Sequence, residues 1–358
     1  MLKNQPNQKS SQILTYHQKM IGITSEFTEV IENCEKYPNI RYIQILFCQK
    51  TKGIYYPNQR ELDSIKNYLK NKNIIPIIHI SMGKDPRWWN KTPIHPTIAN
   101  YYGYFRQHIL REIDYGKQLN AKYIVIHCGS KGGRKNQKRE IPTDKFIKRL
   151  SQLCDESPVE ILIENSASKK CFGSTIDELL QYIENIPNIS ICYDTMHHYG
   201  AGNDIDKIPT ILSHDRVKCI HVNDIPLKVT HGSGEDKHES LTNGIIATYD
   251  KGFKFEQLKS IKKIKILETP RKELWSDELK LINNIMTNVI KVHSVLTQIN
   301  GRNVEAIVDS GAEWILMSEK ALARIDPTGK IPTTDPIPGF RLKSANAEMP
   351  IKKWIWQR

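Results

Sequence analysis

Six short apolar runs in this chain each end in a residue that can bind a metal ion. The runs are Ile74–His79, Tyr123–His127, Glu160–Glu164, Ile189–Asp194, Val217–His221 and Ile264–Glu268. Burying a carboxylate or an imidazole at the end of such a run is costly unless a cation or hydrogen bonds compensate it. A single one could be a structural ion pair or a hydrogen-bonded core histidine, but six in succession indicate one shared metal site.

Three more candidate ligands follow these runs closely. His197 stands three residues after Asp194, and Asp236 and His238 lie in a glycine-containing loop after His221. The complete set of candidates is His79, His127, Glu164, Asp194, His197, His221, Asp236, His238 and Glu268. Mixed imidazole and carboxylate ligands suit zinc, with manganese or iron as alternatives. Because one ion does not need nine ligands, the set predicts two or three ions, an arrangement that suits phosphoryl transfer.

The elements that must position these residues alternate between strand-like and helix-like patterns. The six runs are predicted to be the third to eighth strands, after a first near Ile13–Tyr16 and a second at Arg41–Phe47. Helices are predicted over Glu26–Lys36, Glu61–Lys70, Thr97–Leu119, Thr143–Asp155, Thr175–Ile186, Ile205–Leu212, Phe255–Lys262 and Asp277–Leu296. This alternation predicts an α/β fold, a (β/α)8 TIM barrel, in which the C-terminal strand ends and the following loops line one face. The nine candidates would converge on that face.

Length and composition narrow the class of protein. The 358 residues suffice for one barrel of about 250–300 residues and a small addition. The net charge of +13 suits a polyanionic partner such as nucleic acid, although a lysine-rich coding bias would give the same charge. The seven cysteines show no CxxC or disulfide-framework spacing, as is typical of a reducing compartment. With no membrane-span-length apolar run and no signal-peptide core, we expect an intracellular protein, in the cytoplasm or nucleus, without a membrane partner.

The motifs around the candidate ligands resemble those of endonuclease IV, the zinc-dependent apurinic/apyrimidinic endonuclease family. They read IHCGS, LIENSA, CYDTMH, HVND, GSGEDKHESL and ILETP, within about residues 10–295. The GSGEDKHESL loop is most similar to forms of this family in large DNA viruses, so a viral source is one interpretation. The resemblance implies a monomeric DNA repair enzyme with three zinc ions. Its substrate would be double-stranded DNA, cleaved 5′ to an abasic site in base excision repair.

The resemblance also implies how the ligands are shared among the three ions. His79, His127 and Glu164 would bind the first ion and His197, Asp236 and His238 the third. Glu164, Asp194, His221 and Glu268 would bind the second, with Glu164 as a bridge. Glu164 and Glu268 would be the catalytic carboxylates, since they hold metal and help to orient the attacking water.

Some positions depart from the family pattern without removing a ligand. Met82 stands where a tyrosine is usual, which puts one contact to DNA in doubt. Lys237 replaces an arginine between Asp236 and His238, which keeps the charge but loses a bidentate donor. Gln44, in the second predicted strand, resembles a family position near the DNA but could equally be a polar group inside the barrel.

Two other functions use similar residues. A sugar isomerase or epimerase on the same type of barrel binds one or two metal ions through Glu, Asp and His, but does not need the Asp236–His238 loop. A DNA-binding barrel without catalysis would use the basic surface alone, and an intact set of nine ligands argues against it. Metal content together with cleavage of an abasic-site duplex would separate the three.

The sequence changes character after about residue 298, so we expect a barrel domain over 1–297 and a small, mostly β segment over 298–358. A predicted strand at Val304–Val308 runs into Asp309-Ser310-Gly311-Ala312, which resembles the active-site strand of retropepsin-like aspartic proteases. The stretch Leu342–Pro350 resembles their flap region. Such a protease needs two aspartates held together, and the second half of its fold is missing here, so we expect a fragment without peptidase activity.

Two further elements are predicted inside that segment. Trp314–Met317 has the pattern of a strand, and Ser318–Ile325 has the pattern of a short helix. The Asn300-Gly301 pair ahead of them is a turn signal.

Overall fold

Eight parallel strands close into a barrel in the computed structural model, which describes residues 20–49, 53–84, 93–132, 140–184, 186–249, 252–283 and several strands beyond residue 291. The barrel strands are β1 (Ile21–Glu26), β2 (Tyr42–Leu46), β3 (Ile75–His79), β4 (Ile124–His127), β5 (Ile161–Glu164), β6 (Ile189–Asp194), β7 (Val217–Val222) and β8 (Ile264–Leu267). Each strand pairs with its neighbours in the chain, and β8 pairs with β1 to close the ring. The predicted (β/α)8 TIM barrel is therefore confirmed.

Helices connect these strands close to the predicted positions. The α-helices are α1 (Val30–Lys36), α2 (Gln59–Lys72), α3 (Gly103–Gln118), α4 (Thr143–Glu156), α5 (Ile176–Ile183), α6 (Thr195–Gly200), α7 (Ile208–Ser213), α8 (Ile245–Thr248) and α9 (Trp275–Ile282). The predicted helix at Phe255–Lys262 is a 3-10 helix over Phe255–Ser260. None of the helices among the described residues is both long and apolar enough to cross a membrane.

The first strand is where the sequence prediction was wrong. Ile13–Tyr16 lies outside the described residues, and the first position in the barrel belongs to Ile21–Glu26. Gly22 makes this stretch resemble a loop, but it has a packing role. A Cβ at Gly22 would lie 2.4 Å from the carbonyl oxygen of Tyr42 and 2.8 Å from the Ile266 side chain, so only glycine fits between the neighbouring strands.

Side chains that point into the barrel form two successive layers. The apolar layer consists mainly of Tyr42, Ile77, Val125, Leu162, Cys192, Cys219 and Ile266, which form one buried cluster with their neighbours. The site layer lies two residues further along each strand and consists of Thr24, Gln44, His79, His127, Glu164, Asp194, His221 and Glu268. Because side chains alternate between the two faces of a strand, a step of two residues keeps the same face and moves toward the C-terminal end of the barrel.

The chain divides into two units, of which His17–Asn284 contains the barrel and the other includes the strands after residue 291. In this second unit Val292–Ile299 pairs antiparallel with Arg302–Asp309, and Asp309 is the last residue of its strand. The predicted helix over Asp277–Leu296 ends at Ile282 and is wrong over Val292–Leu296, which lies in a strand, while residues 284–291 lie outside the described residues. The pairing of Ile299 with Arg302 leaves only Asn300-Gly301 between the strands, a sequence that favours a two-residue hairpin.

Two other predictions in this unit have different outcomes. The strand predicted over Trp314–Met317 is present as Trp314–Leu316. The short helix predicted over Ser318–Ile325 lies outside the described residues. The boundary expected at residue 297 falls within the strand Val292–Ile299.

Candidate metal centre

All nine predicted ligands lie at the C-terminal end of the barrel. His79, His127, Glu164 and Asp194 are the last residues of β3, β4, β5 and β6. The other strand-derived ligands are His221, next to last in β7, and Glu268, directly after β8. His197 lies in α6, one helical turn after Asp194, and Asp236 and His238 lie in the loop after β7.

Glu164 is the centre of this group. Its carboxylate is 1% exposed, yet four histidine side chains surround it. One oxygen lies 3.1 Å from His79 Nε2 and 3.4 Å from His127 Nδ1. The other lies 3.0 Å from His221 Nδ1 and 3.4 Å from His197 Nδ1. A buried carboxylate with imidazoles on both oxygens is the arrangement expected of a bridging ligand.

Glu268 is held in place by side chains of β1, the strand next to β8, and of β2. The hydroxyl of Thr24 donates to Glu268 Oε1 at 2.9 Å, and the amide of Gln44 donates to the same oxygen. The remaining oxygen, Oε2, lies 3.3 Å from His221 Nδ1. The same Gln44 accepts from His221 Nε2 at 2.8 Å, so one glutamine fixes two of the predicted ligands.

The remaining candidates form a more open group. Asp236 Oδ1 lies 3.3 Å from Nε2 of both His197 and His238. Asp194 is fully buried and accepts from the backbone N–H of His197 at 2.7 Å, which also caps helix α6. Exposure rises across the site from 1% for the Glu164 side chain to 53% for that of Asp236. The site is therefore open to solvent on the Asp236 side.

Three of the histidines are oriented in the same way. Their Nδ1 atoms lie 2.8–3.0 Å from backbone carbonyl oxygens: His79 with Ile80, His197 with Asn165 and His238 with Glu268. A carbonyl can only accept, so each Nδ1 carries a proton, and Nε2 is the nitrogen that can bind a cation once it has lost its own proton. Those Nε2 atoms face Glu164 or Asp236. This is how hydrogen-bonded partners orient histidines that bind metals.

The geometry groups the ligands somewhat differently from the sequence prediction. Within each of three groups, one potential ligand atom from every residue lies within 4.8 Å of the others. The groups are His79–Glu164–His221, Asp194–His197–His238 and Asp194–His221–Glu268. Asp194 and His221 thus each belong to two groups, whereas the prediction gave only Glu164 a shared position. The residue types and spacing fit several divalent cations close together.

The imidazoles and carboxylates balance one another's charge. Burial alone would raise the pKa of Glu164, but the imidazoles of His127 and His221 hold it well below its usual range. Burial alone would lower the pKa of His221, but Glu268 and Glu164 raise it to about 10. His127 is the exception, because burial outweighs Glu164 and lowers its pKa to about 4. Cations that bind here therefore replace protons on the other histidines.

The loop that carries Asp236 and His238 is closed at its base. The backbone N–H of Asp224 donates to the Glu239 carbonyl at 3.1 Å, and the reverse bond is 2.8 Å. The buried Asp224 carboxylate accepts backbone N–H groups from Ile225, Ile246 and Ala247. The second half of the loop is tied to α6, because Gly234 N–H donates to the Gly200 carbonyl at 3.0 Å. These backbone bonds of the loop hold Asp236 above the barrel.

A cavity of about 350 Å³ opens directly over these ligands. Beyond the ligands, its walls include Ser25, Leu46, Met82 and Trp275, together with the cationic side chain of Lys272. Arg271 and Lys237 lie on the loops that carry the site, and both side chains are about half exposed. The wall of the cavity therefore carries the acidic Glu26 as well as the basic Lys272, and its floor carries candidate ligands such as Glu164 and Glu268.

Several supporting residues escaped the sequence analysis. Thr24 was missed because its strand was not recognised. Asn165 directly follows Glu164, Asn223 lies two residues after His221, and both fix Asp194. The side-chain oxygen Oδ1 of Asn165 accepts from the backbone N–H of Asp194 at 2.6 Å. Nδ2 of Asn223 donates to the Asp194 carboxylate at 2.8 Å. A polar residue close after a ligand was the available signal. Gln44 proves to be a polar group of the barrel interior, 0% exposed.

Comparison with known proteins agrees with the barrel fold. Residues 31–285 match the xylose isomerase-like TIM barrel family. A protein of Oceanobacillus iheyensis named "Probable endonuclease 4" is 36% identical over 179 residues. That alignment covers 44% of this chain and 56% of the relative, so the chain spans little more than half the length of this curated relative.

Solved structures show the same fold at lower identity. Endonuclease IV from Thermus thermophilus superposes with a TM-score of 0.53 at 20% identity, over 73% of this chain and 97% of that one. A D-tagatose 3-epimerase-like protein gives a TM-score of 0.51 at 18% identity, over 73% and 97%. The barrel is thus common to proteins with different chemistry, and the side chains must distinguish among them.

Proposed function

Because the chain belongs to the xylose isomerase-like TIM barrel family, we propose that it is a metal-dependent nuclease of this group. The specific activity proposed is hydrolysis of the phosphodiester 5′ to an abasic site in double-stranded DNA. Similarity to the probable endonuclease 4 of O. iheyensis supports a nuclease. The proposed cofactor is three zinc ions, with manganese or iron as substitutes.

One observation carries this proposal: side chains of the Asp236–His238 loop contact the candidate ligands on the barrel strands and α6. Asp236 lies 3.3 Å from both His197 and His238, and His197 lies 3.4 Å from Glu164. The nine side chains therefore form one continuous set rather than a one-ion site with scattered neighbours. A set of this size suits a reaction in which several negative oxygens must be neutralised together.

The side chains of this chain have separate roles in such a reaction. Bound divalent cations would supply hydroxide from water at neutral pH and neutralise charge on the phosphate. Glu164 holds four imidazoles in a fixed arrangement from within the barrel. Glu268 lines the cavity. Thr24 and Gln44 hold its Oε1, which leaves Oε2, 3.3 Å from His221 Nδ1, as the oxygen that would hold a cation or orient water.

Two basic side chains, Lys272 in the cavity wall and its neighbour Arg271, suit the backbone of DNA. Lys272 lines the cavity and lies 2.5 Å from Glu29, while Arg271 lies 2.6 Å from Glu239. Both ion pairs are partly exposed, and solvent weakens the attraction within each of them. Either cation can therefore exchange its carboxylate partner for a phosphate. The net charge of +13 adds a long-range attraction that salt will weaken. We propose an intracellular monomer that acts on DNA.

A sugar isomerase or epimerase is the second candidate, because an epimerase-like protein shares the fold. Purified full-length protein should be tested in parallel on an abasic-site duplex and on ketohexoses, with zinc, manganese or iron. We expect nicking of the duplex and no sugar conversion. Sugar conversion without nicking would establish the second candidate instead.

Two variants test the roles of the carboxylates. Glu164→Gln and Glu268→Gln should abolish nicking but retain binding of the duplex, because affinity depends mainly on basic side chains. Glu160→Gln is the matched control: Glu160 precedes β5 at the opposite end of the barrel and accepts a hydrogen bond from Ser190. Near wild-type turnover in either site variant would refute the proposal.

The segment after residue 297 is proposed to contribute nothing to this reaction. Its resemblance to a retropepsin-like fragment is confined to the sequence around Asp309 and Leu342–Pro350. We propose that it has no peptidase activity, because a lone aspartate cannot form the required pair.

A further inference from the structure

Directly beneath the metal centre, the apolar layer of the barrel contains two cysteines in register. Cys192 on β6 and Cys219 on β7 are partners on adjacent parallel strands, and both are 0% exposed. Both sulphur atoms and a ring nitrogen of His221 lie within 4.8 Å of one another.

We propose that Cys192, Cys219 and His221 form a further metal site that takes a soft, thiophilic cation, with Cd²⁺ as its probe. Thiolate sulphur selects soft cations, whereas the carboxylate oxygens of the centre above suit harder ones. Two sulphurs and one imidazole nitrogen supply three corners of a tetrahedral site. The two sites therefore differ in the class of ion that they prefer.

The charge balance of this site suits its surroundings. Cys192 and Cys219 pack in one cluster with Leu162 and Ile266. As each sulphur–metal bond forms, its thiol releases one proton to solvent, so two thiolates neutralise one divalent cation. The bound unit adds no net charge to an apolar layer, where an isolated charge would be strongly disfavoured.

The shared histidine couples this site to the centre above it. His221 Nδ1 lies 3.0 Å from Glu164, and His221 Nε2 lies 2.8 Å from Gln44. A cation on the two sulphurs must take one of these nitrogens from its present partner. Binding of a cation at the thiol site therefore takes His221 away from either Glu164 or Gln44. Because His221 is a candidate ligand of the centre above, Cd²⁺ should inhibit any reaction there.

Cadmium binding to the full-length protein tests this proposal directly. After removal of metal with a chelator, the protein is titrated with Cd²⁺, and the ultraviolet thiolate-to-cadmium absorption is followed. X-ray absorption at the cadmium edge then counts the sulphur ligands. We expect two sulphur ligands in the wild type, and the loss of about half of the absorption with Cys192→Ala or Cys219→Ala. The double variant should lose the band.

The controls separate coordination from packing and from catalysis. Cys34→Ala removes a buried cysteine from α1, outside the site, and should leave the band unchanged. Circular dichroism establishes that the alanine variants fold, since alanine keeps the position apolar. An unchanged band in the folded double variant, or cadmium bound only through oxygen and nitrogen in the wild type, would overturn the proposal. No DNA is present, so the result is independent of the proposed nuclease activity.

Discussion

The two interior layers of the barrel differ in their main side-chain types although they are two residues apart on the same strands. On β5 the apolar layer has Leu162 and the site layer Glu164, and on β8 the corresponding residues are Ile266 and Glu268. Each step advances about 6–7 Å along the strand. The apolar layer contributes to stability through packing, while the site layer gathers charge that only partners or cations make tolerable.

This difference teaches that the barrel separates folding from chemistry by position. In the apolar layer, apart from the proposed cysteine site, side chains need only the right volume and a tight fit. In the site layer, each residue depends on partners from other strands, such as Thr24 and Gln44 for Glu268. A change in one layer should therefore alter a different measurable property from a change in the other.

The largest effect expected in the site layer is that of Glu164→Gln. Four imidazoles then lose their common partner, so ions are no longer held in a fixed arrangement. We expect cleavage of an abasic duplex to fall by more than about 100-fold. That is a larger loss than is typical when a residue that only orients a ligand is removed. Single-turnover cleavage and metal analysis of the same preparation check this. A fully loaded, active variant would show that Glu164 is only structural.

The matched change in the apolar layer is Leu162→Ala, two residues earlier on β5. Leu162 is 0% exposed, so we expect a loss of about 2–5 kcal/mol in the free energy of unfolding. Cleavage per folded molecule and metal content should stay near the wild-type values. Urea unfolding measures the first quantity. If turnover fell as far as in the Glu164 variant, the separation of the two layers would not hold.

A smaller effect is expected for Gln44, which lies in the site layer but binds no ion in this scheme. Gln44→Leu removes the hydrogen bonds to His221 and Glu268. We expect activity or metal affinity to fall by about 10–100-fold, as is typical for residues that orient ligands. Isothermal titration with zinc measures the affinity. Unchanged affinity together with unchanged activity would contradict the role given to Gln44.

The metal-free protein should become less stable as pH rises above neutrality. The pKa of His221 is raised to about 10 in the folded chain, against about 6.5 in an unfolded one. A raised pKa gives stability that is complete below about pH 6.5 and is lost as pH rises through about 10. The pKa of His238 is also raised, to about 9, because Asp236 and Asp194 outweigh burial, so this residue acts in the same direction.

Urea unfolding of chelator-treated protein across this pH window checks the expected slope. Replacing His221 by Asn should flatten it, because the titrating group is gone. With zinc present the trend should reverse, since metal affinity increases as histidines lose their protons. Rising stability of the metal-free protein over the same window would contradict the charge balance described for the site layer.

The smallest effect is expected outside both layers, at Asp309. Asp309→Asn, or deletion of residues 299–358, should leave cleavage of an abasic duplex unchanged. No peptidase activity should be lost, because none should be present. Self-processing near residues 297–300 that Asp309→Asn blocks would instead establish a working protease.

Local sequence predicted most of the barrel because each strand is marked by its own apolar run. Seven of the eight strands were placed correctly, including all six that bring a candidate ligand to the C-terminal end of the barrel. The first was missed because Gly22 is required by contacts with Tyr42 and Ile266, which are distant in sequence. The last helix was drawn too long because the pairing of Val292–Ile299 with Arg302–Asp309 is not visible in helical periodicity.

The positions of the site residues were predictable, but their partners were not. A ligand at a strand end follows from the local pattern, whereas the bond from Thr24 to Glu268 joins residues 244 positions apart. The grouping of Asp194 and His221 with two sets of ligands likewise depends on how neighbouring strands are staggered. Such stagger is a property of the closed ring and not of any one segment.

The closed base of the loop after β7 has a consequence for how this chain can vary in length. The backbones of Asp224 and Glu239 are hydrogen-bonded to each other, and the backbone N–H of Gly234 donates to the Gly200 carbonyl. The positions of Asp236 and His238 therefore do not depend on the outer part of the loop. Leu227, 66% exposed, lies in that outer part. Extra residues inserted there cost little closure entropy. Homologous proteins can therefore lengthen or shorten this loop near Leu227 while the ligands remain in register.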